Sequence, residues 1–148
     1  MKNEGVCVIG NEAVLLVVAA ALTDPQGRIL VQRRPPGKAM AGLWEFPGGK
    51  VEPGEAPEAA LVRELAEELG VTVAAEDLTP LAFATAPVGG RTLLLLLYRC
   101  GRWQGEPMPL DADTLDWRRP AGLRDLAMPP ADLPFIDALE AFEPRALE

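Results

Sequence analysis

Three glutamates in one short stretch have the spacing and the chemistry of a cation-binding site. Glu64, Glu67 and Glu68 occupy positions i, i+3 and i+4, so an α-helix, which turns by about 100° per residue, places their carboxylates on one face. Like charges at this spacing destabilise an isolated helix by roughly 0.2 to 0.5 kcal/mol per pair. The face is therefore either a solvated acidic surface or a site for divalent cations, which prefer carboxylate oxygens.

The residues before this helix add features that a cation site needs. Gly48 and Gly49 lack side chains, so the backbone can approach a ligand closely, and such a loop can offer carbonyl oxygens to a hard cation. Glu55 adds a carboxylate six positions after Gly49. Arg63 carries a planar guanidinium that can hold the neighbouring Glu64 in place.

These residues form one continuous pattern along the chain. It reads Gly, five residues, Glu, seven residues, then Arg-Glu-Leu-Ala-Glu-Glu-Leu-Gly-Val. This pattern resembles the Nudix box of the Nudix hydrolases without a mismatch. The agreement outside the three glutamates favours metal binding over a solvated acidic face, and it involves Gly49, Glu55, Arg63, Gly70 and Val71.

Four further segments resemble the MutT-type members of that family: residues 32–34, 43–50, 103–107 and 128–134. The resemblance implies an α+β Nudix fold, in which a mixed β-sheet is sandwiched between α-helices. It also implies metal-dependent hydrolysis of oxidised purine nucleoside triphosphates. The expected reaction is the conversion of 8-oxo-dGTP to 8-oxo-dGMP and pyrophosphate by attack of water at phosphorus.

The same resemblance implies a set of metal ligands and catalytic residues. The ligands of Mg²⁺ or Mn²⁺ would be the carbonyl of Gly49 and the side chains of Glu64, Glu67, Glu68 and Asp111. The family usually has Glu at the last position, so Asp111 could instead be an exposed loop carboxylate. The catalytic residues would be Glu64, Glu67, Glu55 and Arg63. We hypothesise that Glu64 is the general base, with Glu55 and Asp111 as the alternatives.

The implied substrate-binding residues are Arg34, Phe46 and Asp132. Phe46 would help to sandwich the base, and Asp132 takes the place of the Asn found in bacterial relatives. An ionised carboxylate can accept hydrogen bonds from both N1–H and N2–H₂ of guanine, whereas adenine presents an acceptor at N1. Asp132 could alternatively be the N-cap of a helix that begins at Leu133. Arg33 and Lys38 are possible phosphate contacts.

Composition narrows the available chemistry. The chain has 148 residues, a net charge of −8 and no histidine, which excludes imidazole metal sites and Ser-His or Cys-His nucleophiles. Cys7 and Cys100 have no CxxC spacing, so we expect reduced structural thiols and no zinc site. The acidic excess argues against direct nucleic-acid binding. A nucleoside triphosphate would therefore arrive together with its metal ions.

The apolar run over residues 13–22 could be mistaken for part of a signal peptide. It is too short to span a bilayer, and Glu4 and Glu12 precede it with Lys2 as the one basic residue, which is not the pattern of a secretory signal. We therefore expect a buried central strand, no membrane association and a cytoplasmic protein.

The elements that must position these residues form a single domain over residues 1–148. We expect β-strands over 13–24, 28–33, 43–46, 78–86, 91–100 and 115–118, with hairpin turns at 25–27 and 88–90. We expect the acidic helix to begin near Pro57 and to end at Gly70. Two further helices are expected over 120–126 and 133–142, separated by a stiff proline-containing loop.

The sequence leaves alternatives for the function. A Nudix pyrophosphatase could act on ADP-ribose, a dinucleoside polyphosphate or an RNA 5′ end. A non-catalytic module of the same fold could sense nucleotides or bind a protein. The chain could be a monomer or a homodimer.

Overall fold

The computed structural model describes residues 13–142, which form two β-sheets and two α-helices. The strands are β1 (Val14–Leu22), β2 (Ile29–Arg33), β3 (Trp44–Glu45), β4 (Gly48–Lys50), β5 (Thr79–Val88), β6 (Arg91–Cys100) and β7 (Thr114–Arg118). The α-helices are α1 (Pro57–Leu69) and α2 (Leu133–Phe142). Short 3₁₀ turns occur at Ala75–Asp77, Pro120–Asp125 and Pro130–Asp132.

The larger sheet has the strand order β4-β1-β6-β5 and is mixed, because β1 and β6 are parallel whereas the other pairs are antiparallel. The smaller sheet is antiparallel, with the order β3-β2-β7. The mixed sheet of the prediction is therefore confirmed. The separation of β2, β3 and β7 into a sheet of their own was not expected.

Strand β1 is the centre of the fold, as its apolar sequence predicts. Side chains alternate between the two faces of a strand. Val18, Ala20 and Leu22 belong to the core cluster that includes the buried face of α1, while Ala19 and Ala21 belong to the cluster that includes α2. The two helices therefore cover opposite sides of the sheet, which gives the expected helix–sheet–helix layers.

Helix α1 has the expected bounds and the expected buried face. Leu61, Leu65 and Leu69 recur every four residues and are fully buried, so one stripe of the helix packs on the sheet. The helix ends at Gly70, whose φ of 73° lies in the left-handed region and whose N–H donates to Ala66. Ala56 precedes the helix without a side-chain cap, which forgoes roughly 1 kcal/mol of helix stability.

Two local predictions differ from the structure. The turn at 25–27 forms, with Gly27 N donating to Asp24 O at 2.9 Å. However, β1 and β2 do not form the expected hairpin. Only an isolated bridge between Thr23 and Ile29 connects them, and the two strands continue into different sheets. The helix expected over 120–126 is the 3₁₀ turn Pro120–Asp125. Gly122 disfavours an α-helix, and the prolines soon after Leu126 prevent its extension.

Cys100 is buried and its thiol donates to the carbonyl of Arg102 at 3.1 Å. Burial raises the pKa of the Cys100 thiol, which fits an unreactive structural residue. Cys7 lies outside the described residues. Between residues 13 and 142, no helix has the length and apolar character needed to cross a membrane.

Candidate active site

The two glycines before α1 belong to strand β4, whereas the sequence had indicated a loop at this position. Gly48 and Gly49 pair with Ala19 and Val18 of β1. A Cβ built on Gly49 would lie 2.5 Å from Oε2 of Glu64, well inside van der Waals contact. The absence of a side chain at Gly49 is therefore what allows the Glu64 carboxylate to lie directly against the backbone of β4.

Arg63 connects several of the predicted catalytic residues. Its Nε donates to Oε2 of Glu55 at 2.9 Å, and its Nη2 donates to Oε1 of the same carboxylate at 3.0 Å. Its Nη1 donates to Oε2 of Glu64 at 3.0 Å, and Nη2 also reaches the carbonyl of Lys50 at 3.2 Å. The hydrogen bonds from Arg63 hold the pKa of Glu55 below its usual value. The guanidinium therefore fixes Glu64 relative to Glu55 and β4.

Glu67 and Glu68 differ in their surroundings although they are adjacent. The side chain of Glu67 is 61% exposed and lies 3.7 Å from Nη1 of Arg63. Oε1 of Glu68 instead accepts hydrogen bonds from Nε2 of Gln32 at 2.9 Å and from the backbone N of Gly48 at 3.2 Å. Burial raises the pKa of Glu68 to about 8, and the negative charges of Glu64 and Glu45 act in the same direction.

Within residues 13–142, no three acidic, cysteine or histidine side chains are arranged to hold a metal ion. Arg63 is the cation that contacts Glu64 and Glu67. The donor set nevertheless fits a hard divalent cation, because it consists of carboxylate oxygens beside the backbone of strand β4. Gln32, whose Nε2 donates to Glu68, carries a buried amide oxygen, Oε1, that has no hydrogen-bond partner.

Asp111 follows a segment that is tied to the end of α1. The backbone N of Met108 donates to the carbonyl of Leu69 at 3.0 Å, and that of Leu110 donates to the carbonyl of Glu68 at 3.1 Å. The Asp111 side chain itself is 58% exposed and lies 3.7 Å from the ammonium of Lys38. The structure thus anchors the backbone beside the acidic face, whereas the carboxylate of Asp111 contacts a cation from the 34–42 loop.

Arg34 lies beside a carboxylate that the sequence did not single out. Its Nη1 contacts Oε2 of Glu45 at 3.1 Å, and its Nε donates to the carbonyl of Ala39 at 2.7 Å. Burial raises the pKa of the Glu45 carboxyl, although the charge of Arg34 opposes the shift. Glu45 also acts electrostatically on Glu68 and on Asp132. It is therefore within electrostatic range of both the acidic face of α1 and the predicted base-binding residue.

Asp132 lies in the last 3₁₀ turn before α2 and is 6% exposed. Its carboxylate makes no hydrogen bond to any residue of the described range, so it does not act as the N-cap that the sequence allowed. Burial, with the charge of Glu45, raises the pKa of Asp132 to about 7. A carboxylate that is largely removed from water and makes no hydrogen bond is costly, which is typical of a ligand-binding position.

Phe46 is placed differently from a base-stacking residue. Its ring is 4% exposed and packs edge-to-face on Phe135, with the centroids 6.1 Å apart. The ring therefore belongs to the hydrophobic core. Trp44, two residues earlier, is half-buried and has the Arg33 guanidinium 5.6 Å from its ring centroid.

Sequence reasoning did not identify Gln32 and Glu45 as site residues. The signal for Gln32 is a polar residue within the apolar strand Ile29–Arg33. The signal for Glu45 is a charge beside two aromatic residues, just before the glycines. Both residues are paired across β2 and β3, which only the structure reveals.

The fold and this arrangement of residues are those of a Nudix hydrolase. Residues 14–145 match the family model for the NUDIX domain, so the chain belongs to the Nudix family. Enzymes of this family hydrolyse nucleotide substrates with the help of divalent metal ions.

The chain is similar to characterised members over most of its length. It is 36% identical over 127 residues to the CTP pyrophosphohydrolase of Escherichia coli, covering 86% of this chain and 93% of that protein. It is 35% identical over 126 residues to the 8-oxo-dGTP diphosphatase of the same organism, covering 85% and 96%. The solution structure of the E. coli ORF135 protein superposes with a TM-score of 0.79 at 36% identity, covering 90% of this chain and 94% of that one.

Proposed function

We propose that this Nudix hydrolase converts 8-oxo-dGTP to 8-oxo-dGMP and pyrophosphate. The observation that supports a guanine base is Asp132, which is 6% exposed and whose carboxylate has no hydrogen bond to any residue among 13–142. Glu45 links it electrostatically to Glu68. A nucleotide whose base meets Asp132 would therefore extend its phosphates toward the acidic face of α1.

The metal ligands of the proposal are the carbonyl of Gly49 and the carboxylates of Glu64, Glu67 and Glu68, with Asp111 as a further ligand from the neighbouring loop. The cofactor would be Mg²⁺ or Mn²⁺, which supplies neutralisation of phosphate charge and orientation of the reacting groups. Glu64 accepts the proton of the attacking water as the general base. Arg63 and Glu55 hold Glu64 in the required orientation, as their hydrogen bonds indicate.

The base is selected by the protonation state of Asp132. An ionised carboxylate accepts from N1–H and N2–H₂ of guanine, and each such bond left unmade in a buried site costs about 1 to 3 kcal/mol. That difference corresponds to roughly 5- to 150-fold discrimination between bases. Arg34 contacts Glu45, which acts electrostatically on Asp132, and this supports a role for Arg34 in substrate binding.

A second candidate substrate is CTP, and one observation favours it. Because burial raises the pKa of Asp132 to about 7, a neutral carboxyl is accessible near neutral pH. Its O–H can donate to N3 of cytosine while its carbonyl oxygen accepts from the 4-amino group. One of the similar proteins is a CTP pyrophosphohydrolase, in agreement with this possibility.

Product analysis with 8-oxo-dGTP, dGTP, CTP and ADP-ribose, each with Mg²⁺, tests the proposal. We expect 8-oxo-dGTP to give the highest kcat/KM, with monophosphate and pyrophosphate as products. Its kcat/KM relative to that of CTP is expected to rise between pH 6 and pH 8 as Asp132 ionises. A large preference for CTP at every pH would select the second candidate. A preference for ADP-ribose, or the absence of metal-dependent hydrolysis, would contradict both.

A further inference from the structure

Gln32 is an unusual residue for its position. It lies in β2 directly after the fully buried Leu30 and Val31 and is itself 3% exposed. Among residues 13–142, the buried polar or charged side chains are Gln32 and Asp132. An apolar side chain of similar size would avoid the desolvation of an amide at this point.

The amide of Gln32 is only half satisfied. Its Nε2 donates to Oε1 of Glu68 at 2.9 Å, whereas its own Oε1 is buried without a hydrogen-bond partner. An unpaired buried carbonyl destabilises the fold. Packing of β2 therefore does not explain the amide, and its one hydrogen bond points to Glu68.

That hydrogen bond completes a clamp on one oxygen of Glu68. Oε1 of Glu68 accepts from Gln32 on β2 and also from the backbone N of Gly48 on β4, at 3.2 Å. The other oxygen, Oε2, has no hydrogen bond to any residue between 13 and 142. Donors from two strands thus fix the orientation of the carboxylate and leave Oε2 available to a ligand.

We propose that Gln32 is a positioning residue for metal binding, which orients the Glu68 carboxylate through its Nε2 donor. The inference rests on the proposed function, since it assumes that Glu68 is a metal ligand. Hydrogen-bonding partners of metal ligands commonly affect metal affinity by 10- to 100-fold. Gln32 itself contacts neither metal nor substrate in this proposal.

The test compares metal affinity with the stability of the metal-free protein. The full-length protein and its Gln32→Met variant are titrated with Mn²⁺ alone by calorimetry, and their thermal unfolding is measured without metal. Met has a similar volume and no donor. We expect the Kd for Mn²⁺ to rise about 10- to 100-fold, while the Tm without metal is unchanged or higher, because the unpaired carbonyl is removed.

Val31→Ala is the matched control on the same strand. Val31 is fully buried in the core cluster on the α2 side, so its truncation lowers the Tm without touching Glu68. We expect its Kd for Mn²⁺ to stay within about twofold of wild type, which separates loss of stability from loss of positioning. Gln32→Asn, whose amide is too short to reach Glu68, should reproduce the loss of affinity if Gln32→Met does not fold.

Two outcomes would overturn the inference in different ways. If the wild-type protein binds Mn²⁺ and both Gln32 variants bind it within about twofold of wild type, Gln32 does not position Glu68, whereas the proposed metal site remains. If the wild-type protein itself takes up no Mn²⁺, the proposed function fails and the role of Gln32 fails with it.

Discussion

The backbone of Gly49 and the carboxylate of Glu64 are in such close contact that no side chain fits between them. A Cβ on Gly49 would lie 2.5 Å from Oε2 and 2.6 Å from Oε1 of Glu64. Strand β4 and helix α1 therefore come into close contact where the proposed general base, Glu64, meets the proposed carbonyl ligand, Gly49.

Replacing Gly49 by alanine should displace Glu64 and weaken the site. The added methyl group overlaps the carboxylate, so we expect kcat/KM for the nucleotide substrate to fall by at least about 10-fold. Steady-state kinetics with Mg²⁺ provide the measurement. Gly101→Ala is the control, because the nearest atom to its new Cβ would be Thr23 O at 3.9 Å, and it should retain wild-type kinetics. Normal activity of Gly49→Ala would argue against a role for Glu64 at this position.

Arg63→Lys should reduce activity although the positive charge is kept. Lysine cannot reproduce the forked contacts with both oxygens of Glu55 and with Glu64. We expect kcat to fall about 10- to 100-fold, with a smaller change in KM. Arg124→Lys is a suitable comparison, because Arg124 also forks onto Glu140 but lies on the surface. Equal kinetics for the two variants would show that the fork at Glu55 has no catalytic importance.

Glu67→Gln separates catalysis from folding. The side chain of Glu67 is 61% exposed, so the substitution should change the free energy of unfolding by no more than about 0.5 kcal/mol. Turnover should nevertheless fall by at least about 100-fold, because the substitution removes a proposed metal ligand. Kinetics and urea unfolding measure the two effects, with Glu76→Gln on the exposed Ala75–Asp77 turn as the control. Near-normal turnover would remove Glu67 from the proposed metal ligands.

Helix α1 could be predicted closely because local sequence determines it. Its bounds depend on Pro57 and Gly70, and its buried stripe depends on three leucines that recur every four residues. The acidic face follows from the same periodicity. Each of these features involves residues within a few positions of one another, so no knowledge of the tertiary structure was required.

The parts that could not be predicted depend on contacts between distant residues. Gly48 and Gly49 form a strand only because β1 supplies the pairing. Gln32 and Glu68 are 36 positions apart in sequence, and neither segment contains a local pattern that predicts their hydrogen bond. The divergence of β1 and β2 after a tight turn likewise depends on the pairing of β2 with β7.

The burial of Asp132 could not be predicted from the sequence either. The sequence allowed an N-cap at this position, whereas the structure has a desolvated carboxylate. Its pKa of about 7, against an ordinary 3.8, means that between these values the folded protein holds a proton that the unfolded chain has released. The free energy of unfolding should therefore fall as pH rises from about 4 to 7, by up to about 1.4 kcal/mol per pH unit.

Asp132→Asn cannot titrate and should lack this contribution. Urea unfolding of both proteins at pH 5, 6, 7 and 8 measures the difference, which should stop growing above pH 7, where Asp132 is ionised in both states. Parallel pH profiles would show that Asp132 is solvated in the folded protein and therefore unsuited to distinguish guanine from cytosine by its protonation state.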